Sequence, residues 1–378
     1  MPAEVSGPAG GRLAAASAAR RWTLCLFLLA ATTLNYLDRQ TLSVLAPLIQ
    51  RDMHLDNEAL GWVFSAFYYA YTLAQFGVGA ILDRTHLRWS YSLAVVAWSL
   101  AAALTGLSRS FAALLCFRIL LGLAESANWP AAMRIVARVL PPQDRALGNG
   151  IFTSGTSLGA LIAPALSLGT ASWLGWRLAF PAVGSLGLAW FLAWVWFTSH
   201  AGFARVWRGS QPTVAAAGAY REILATGQFW RVFAITILVN PCLYFAVNWL
   251  PTYFVQERHL EPGRFLGGIL TMIYLGLDAG YLTCGFAVRR LSKRYGSRAA
   301  RRVVFLAASV LLLLTGAIPW LASTTAAAAA LVLVNLGAGM WIAMYLTLAQ
   351  EVSPRHVATA AGCLGAPARW QAPSLCGA

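Results

Sequence analysis

The stretch NYLDRQTLSVLAP, residues 35–47, decides how the chain is read. It sets Asp38 beside Arg39 inside an otherwise apolar run long enough to span a membrane. An ionised side chain near a bilayer centre costs at least about 2.5–3.5 kcal/mol on insertion scales, so such residues are rare and face a polar interior. The rest of the chain has to provide that interior.

Composition is consistent with this. The 378 residues are 59% hydrophobic and 11% charged, with a mean hydropathy of +0.63. A soluble domain carries about 25% charged residues, so the class is a membrane protein. The 16 Trp and 33 Gly agree, because Trp collects at membrane interfaces and Gly is tolerated in packed spanning helices. A net charge of +15 would suit a nucleic-acid partner. The basic residues fall instead in short gaps between apolar runs, so no nucleic acid is expected. Cys25, Cys116, Cys242, Cys284, Cys363 and Cys376 form no CxxC and have no His at metal-ligand spacing. Reduced thiols in apolar surroundings are expected, with no metal and no cofactor.

A span needs roughly 20 mostly apolar residues. Ten are expected, at 24–47, 60–82, 90–107, 112–133, 148–169, 176–197, 231–254, 266–288, 303–321 and 326–349, with a stub at 357–366 that could begin another. Arg20 and Arg21 ahead of the first run resemble a signal-peptide start, but no small-residue cleavage site comes after it, so a retained anchor is expected. Twenty Lys and Arg lie in segments on the side of the amino terminus. Five (Arg51, Arg109, Arg177, Arg258 and Arg264) lie on the other. By the positive-inside rule the amino terminus is inside.

The chain divides into an arm (1–21), a six-helix bundle (22–198), a basic cytoplasmic linker (199–230), a partial second bundle (231–361) and a divergent tail (362–378). Within the linker, YREILATGQFWR (220–231) could form a short surface helix. GAILDRTHLR (79–88) after span two is echoed by GFAVRRLSKR (285–294) after span eight. Parallel repeats are a transporter architecture, with substrate bound near mid-membrane at the repeat interface.

Ionisable residues within the spans are Asp38, Arg39, Arg118, Glu125 and Asp278, with Glu351 at an inner end. At 1.5 Å per residue, Asp38 and Arg118 each lie about 5–6 Å outward of mid-membrane and Glu125 about 5 Å inward. The expected pair is therefore Asp38–Arg118. Arg39 either stretches inward to Glu125 or is presented to a cavity as an anion hook. A substrate carboxylate that takes an Arg away from Asp38 or Glu125 favours proton uptake there, which couples proton and anion. Tyr36, Tyr71, Asn128, Asn248 and Trp249 are candidate partners for ligand hydroxyls. In GTSLGALIAP (155–164) close helix packing is the better reading, with Ser154 and Thr156 as weaker ligand candidates. Asp278, alone in its span, has a structural reading at least as good as a functional one. No HExxH, Gly-x-Ser-x-Gly or phosphate loop is present, so no enzyme is expected.

NYLDRQTLS, the Gly79-x-x-x-Asp83-Arg84 stretch with Arg88, and Arg118 through GLAESANWP resemble the major facilitator superfamily. More narrowly they resemble its anion:cation symporter family and the hexuronate branch. The resemblance implies two six-helix bundles rocking between inward- and outward-open states, and proton-driven uptake of a sugar acid such as glucuronate or galacturonate across an inner or plasma membrane. It assigns proton coupling to Asp38 and Glu125, and substrate or charge pairing to Arg39 and Arg118. Gly79, Asp83, Arg84 and Arg88 match its cytoplasmic gating motif. GCLGAPARWQAPSLCGA (362–378) departs from the pattern and is interrupted by Pro367 and Pro373, which leaves four complete helices in the second bundle. The alternatives are a truncated protein that does not transport, or a carrier of another organic anion such as an aldonate or phthalate-like acid.

Overall fold

The helix that carries the charged pair, α1 (Ala18–Met53), runs unbroken for 36 residues in a computed structural model that describes residues 18–200, 203, 207, 216–261 and 263–370. The side chains of 216, 217, 238–249, 264 and 367–370 lie outside the description. Six further helices complete the first half: α2 (Asn57–Arg84), α3 (Leu87–Thr105), α4 (Phe111–Glu125), α5 (Asn128–Val139), α6 (Arg145–Leu174) and α7 (Trp176–Ser199). Then come α8 (Ala216–Ala225), α9 (Gly227–Gln256), α10 (Arg264–Leu313), a 3-10 segment (Leu314–Trp320), α11 (Thr324–Val352) and α12 (Val357–Trp370). The described residues contain no strand.

Among the described residues, six stretches are long and apolar enough to cross a membrane. They cover seven of the ten expected spans, because Phe265–Trp320 contains two. The expected first and second spans lie in α1 and α2, whose apolar runs are broken by residues turned inward, among them Asn35, Asp38 and Gln75. The seventh lies in α9.

Local chemistry sets the boundaries. Asp56, Ser110 and Ser323 each accept a backbone N–H in the first turn of the next helix, capping α2, α4 and α11. The expected fourth span is two helices, because Pro130 in ESANWP has no N–H for the carbonyl of Ser126 and the chain turns at Ser126–Ala127. Gly175, at φ 78°, ends α6 and starts α7. Gly296, at φ 79°, bends α10 between the expected eighth and ninth spans. Only glycine takes that region without strain.

Three boundaries differ from expectation. The linker helix is α8, and it stops at Thr226 rather than continuing to 231. α9 then begins at Gly227, since GQFWR joins the apolar helix behind it. α12 continues through Pro367 to Trp370, past the expected boundary at 361. A proline removes a single backbone bond, which packed membrane helices tolerate.

Helices approach closely where glycine allows it. Gly155 and Gly159 lay α6 on the backbone of α1 at Leu29 and Thr33, so GTSLGALIAP is a packing face. The two halves of the chain meet in the same way. Gly79 of α2 abuts the Ala358 carbonyl of α12, and Gly362 abuts that of Gln75. Gly150 of α6 abuts the Tyr281 carbonyl of α10, and Gly285 abuts Leu147. Of the described cysteines, Cys25, Cys284 and Cys363 are buried free thiols and Cys116 is an exposed one.

Candidate functional site

The charged residues of α1 and α4 come together, but in a different pairing from the one depth arithmetic favours. Arg39 Nε donates to Glu125 Oε2 at 2.6 Å, with Glu125 fully buried. Asp38 and Arg118 form no ion pair. Asp38 is 4% exposed with no hydrogen bond at Oδ1, and Arg118 is 3% exposed with none at Nε or Nη2. Side-chain direction explains the exchange. Helical side chains lean toward their own amino terminus, and α1 and α4 run antiparallel. Arg39 leans back toward mid-membrane and meets Glu125 leaning the other way, whereas Asp38 and Arg118 lean apart.

Arg39 is also caged. Its guanidinium carbon sits 4.9 Å from the ring centres of Tyr36 and Phe67 and 4.8 Å from that of Tyr71. Each such contact is worth about 0.5–2 kcal/mol, more when desolvated, so the rings hold the cation where the carboxylate alone would have to. Above the cage lies a cavity of about 130 Å³. α1 lines it with Tyr36, Arg39, Gln40 and Ser43, α2 with Phe64, Phe67 and Tyr68, and α4 with Arg118. Small-molecule sites ordinarily enclose roughly 300–1,000 Å³. The described lining, all from the first half of the chain, encloses less than that.

The remaining candidates separate. Tyr36 lines the cavity, whereas Tyr71 is buried beneath Arg39. Asn128 does not line it. Its amide donates to Thr32 Oγ1 at 3.2 Å and accepts from Tyr91 OH at 2.8 Å, tying α5 to α1 and α3. The side chains of Asn248 and Trp249 lie outside the described residues. Ser154 bonds its own helix at Gly150, and Ser157 reaches Asp278 instead. Gln40, Ser43 and the aromatic row Phe64, Phe67, Tyr68 do not stand out in the sequence. With Tyr71, that row falls at i, i+3, i+4 and i+7, the helical period that marks one face of α2.

A second constellation sits at the arginine-rich ends of the helices, where the halves touch. Asp83 accepts from Thr359 N at 2.8 Å, Thr359 Oγ1 at 2.7 Å and Ala358 N at 3.3 Å. A carboxylate is thereby placed on the amino terminus of α12, where the helix dipole favours it. Arg134 pairs with Asp83 Oδ1 at 3.1 Å and also donates to the Leu82 carbonyl. Arg289 pairs with Asp144 at 3.2 Å, and Asp144 precedes α6. Asn149 and Gln350 bond each other across the halves, and Gln350 also donates to the Met133 carbonyl. Gly79 permits the crossing. Arg88 lies apart, donating to the Val195 carbonyl, and Arg84 is half-buried at the end of α2. Arg134, Asn149 and Gln350 read as ordinary loop or span residues in the sequence.

Comparison with known proteins agrees with this architecture. The family model described as Major Facilitator Superfamily matches residues 8–368. The chain is 29% identical over 333 residues to the hexuronate transporter of Bacillus subtilis (strain 168), covering 82% of this chain and 75% of the relative. It is 25% identical over 371 residues to the hexuronate transporter of Escherichia coli (strain K12), covering 94% and 85%. A solved Major Facilitator Superfamily transporter, FucP, in the outward conformation superposes with a TM-score of 0.69 at 16% identity, over 94% of this chain and 96% of that one. These relatives are transporters rather than enzymes, and this chain, a multi-pass membrane protein, belongs to the Major Facilitator Superfamily.

Proposed function

We propose that the protein is a proton-coupled symporter of a small sugar-acid anion, with hexuronates such as glucuronate and galacturonate as its substrate class. The observation that carries this reading is the Arg39–Glu125 pair directly beneath a cavity that Arg118 also lines. A substrate carboxylate entering at Arg118 and Arg39 adds one negative charge and draws Arg39 from Glu125. Glu125, left buried without its partner, then takes a proton, because an unpaired charge there is strongly disfavoured. Asp38, beside it, is the second candidate for proton coupling.

Closure of the halves around the loaded site, and parting of Asp83 from α12, would turn the cavity to the other face. The gating role of Gly79, Asp83 and Arg84, and a cytoplasmic amino terminus in the inner or plasma membrane, belong to this proposal. The names of the relatives support the substrate class. Labelled glucuronate should accumulate in vesicles holding the protein when a pH gradient is imposed, and should only equilibrate without one. Correct insertion with no accumulation under the gradient would refute the reading.

A further inference from the structure

The coupling step proposed above moves one proton per anion, through Glu125 with Asp38 as its alternative, and leaves one carboxylate at membrane depth unused. Asp278 lies on α10, half-buried, and Ser157 Oγ of α6 donates to its Oδ1 at 2.8 Å. This bond joins the two halves of the chain across α6 and α10. From Gly285 on Leu147, through Gly150 on Tyr281, the two helices touch backbone to backbone. Leu158, Ala160, Leu161 and Ile162 are exposed, and α6 keeps covered only the face that meets α1, at Gly159, Ala163 and Ser167. Asp278 therefore stands on the interface between the halves, beyond the closest backbone crossings of α6 and α10.

No cation among the described residues balances it. Asp278 forms no ion pair among the described residues. The stretch of α6 after Arg145 carries no charged residue, and α11 carries only Glu351 at its far end. The charged residue of α9 is Arg231, near its start. On α10 itself Arg289 is roughly 16 Å along the helix and Arg264 is further off. Gly276 and Gly280 face the backbone of α11 at Val332 and Leu336. Coupling by a carboxylate needs access to water from one side in one state and from the other side in the next. A half-buried carboxylate held across an interface that has to open is placed to meet that condition.

We infer that Asp278 is a further proton carrier, loaded while α6 and α10 are joined and emptied to the arginine-rich side when they separate. The inference rests on the symport reading above and extends it. Asp278 takes a proton from water on one side and returns it to water on the other, with no other bond made or broken. One anion then moves with two protons, so each turnover carries one net positive charge.

The test is accumulation of labelled glucuronate by the full chain in proteoliposomes, under a fixed pH gradient, with and without an imposed potential, negative inside. One net charge changes the steady-state ratio tenfold for about 59 mV. The wild type is expected to gain about tenfold at that potential. Asp278→Asn is expected to keep accumulation driven by the pH gradient and lose the gain, while Asp278→Glu and Ser157→Ala retain it. If Asp278→Asn does not fold, Asp278→Ser takes its place. A tenfold gain persisting in the Asn or Ser variant, or a wild type indifferent to potential, overturns the inference and leaves symport standing. A wild type that does not accumulate substrate under the pH gradient overturns symport, and the inference with it.

Discussion

Arg39 holds Glu125 through Nε while the remainder of its fork lies against three aromatic rings, and Nη2 has no hydrogen-bond partner. A lysine in that position is a point charge with no planar face for the rings and no second prong. Arg39→Lys is expected to keep the fold and lower kcat/KM for substrate about 10- to 100-fold, or about 1.4–2.8 kcal/mol, as measured by initial rates of uptake. Glu125→Gln separates coupling from binding. It should abolish accumulation driven by the pH gradient while exchange of labelled for unlabelled substrate across the membrane continues. Loss of exchange as well would show that Glu125 serves binding rather than coupling. All four charged residues of the site were legible in the sequence, because charge within an apolar run is conspicuous. Their pairing was less so, since the depth of a Cα does not say which way a long side chain leans. The antiparallel course of α1 and α4 supplies that direction, and it was already implied by the order of the spans.

Helix ends and helix crossings govern how the halves meet. A side chain at Gly79 would collide with the Ala358 carbonyl, and one at Gly150 with that of Tyr281. Gly79→Val is expected to prevent this closure and shift the population toward the alternative state. Spin labels placed across the arginine-rich ends of α2 and α12 would then report a longer distance, and an unchanged distance would contradict the role given to Gly79. Asp83→Asn removes a charge from the amino terminus of α12, a contribution of about 0.3–2 kcal/mol, and should shift the same distance in the same direction. At the opposite ends of the helices, Arg177 donates to Asp52, which holds that carboxyl below its ordinary value and ties α1 to the start of α7. A carboxylate lowered in the folded state stabilises it above the ordinary value, and that contribution is lost as pH falls below about 4. Asp52→Asn should flatten the acid limb of the thermal stability profile. Most helices could be placed from apolar run length. The break at Pro130, the start of α9 at Gly227 and the passage of α12 through Pro367 could not, because packing against neighbours rather than local propensity settles them.

For the molecule as a whole, the two halves are closed on each other at the arginine-rich ends, and a small cavity lies by Arg39 and Arg118. The closure is made by many modest contacts: Asp83 on α12, Arg289 with Asp144, Asn149 with Gln350, and Arg301 reaching both Glu351 and the Pro142 carbonyl. Such a set can be exchanged as a unit for contacts on the other side, as rocking requires. The echo of GAILDR in GFAVRR is visible in this closure, since Gly79 and Gly285 each form a crossing and Asp83 and Arg289 each serve the start of a helix from the other half. In the sequence the echo was a pattern, and its partners at Thr359 and Asp144 could only come from three dimensions. The central claim is that a substrate carboxylate displaces Glu125 from Arg39 and that Glu125 then binds a proton. Proton uptake by the purified protein in weakly buffered detergent solution, monitored with a pH dye as glucuronate is added, tests it most directly. The account predicts uptake that saturates with substrate and is absent in Glu125→Gln. Binding without uptake, or uptake that persists in that variant, would contradict it.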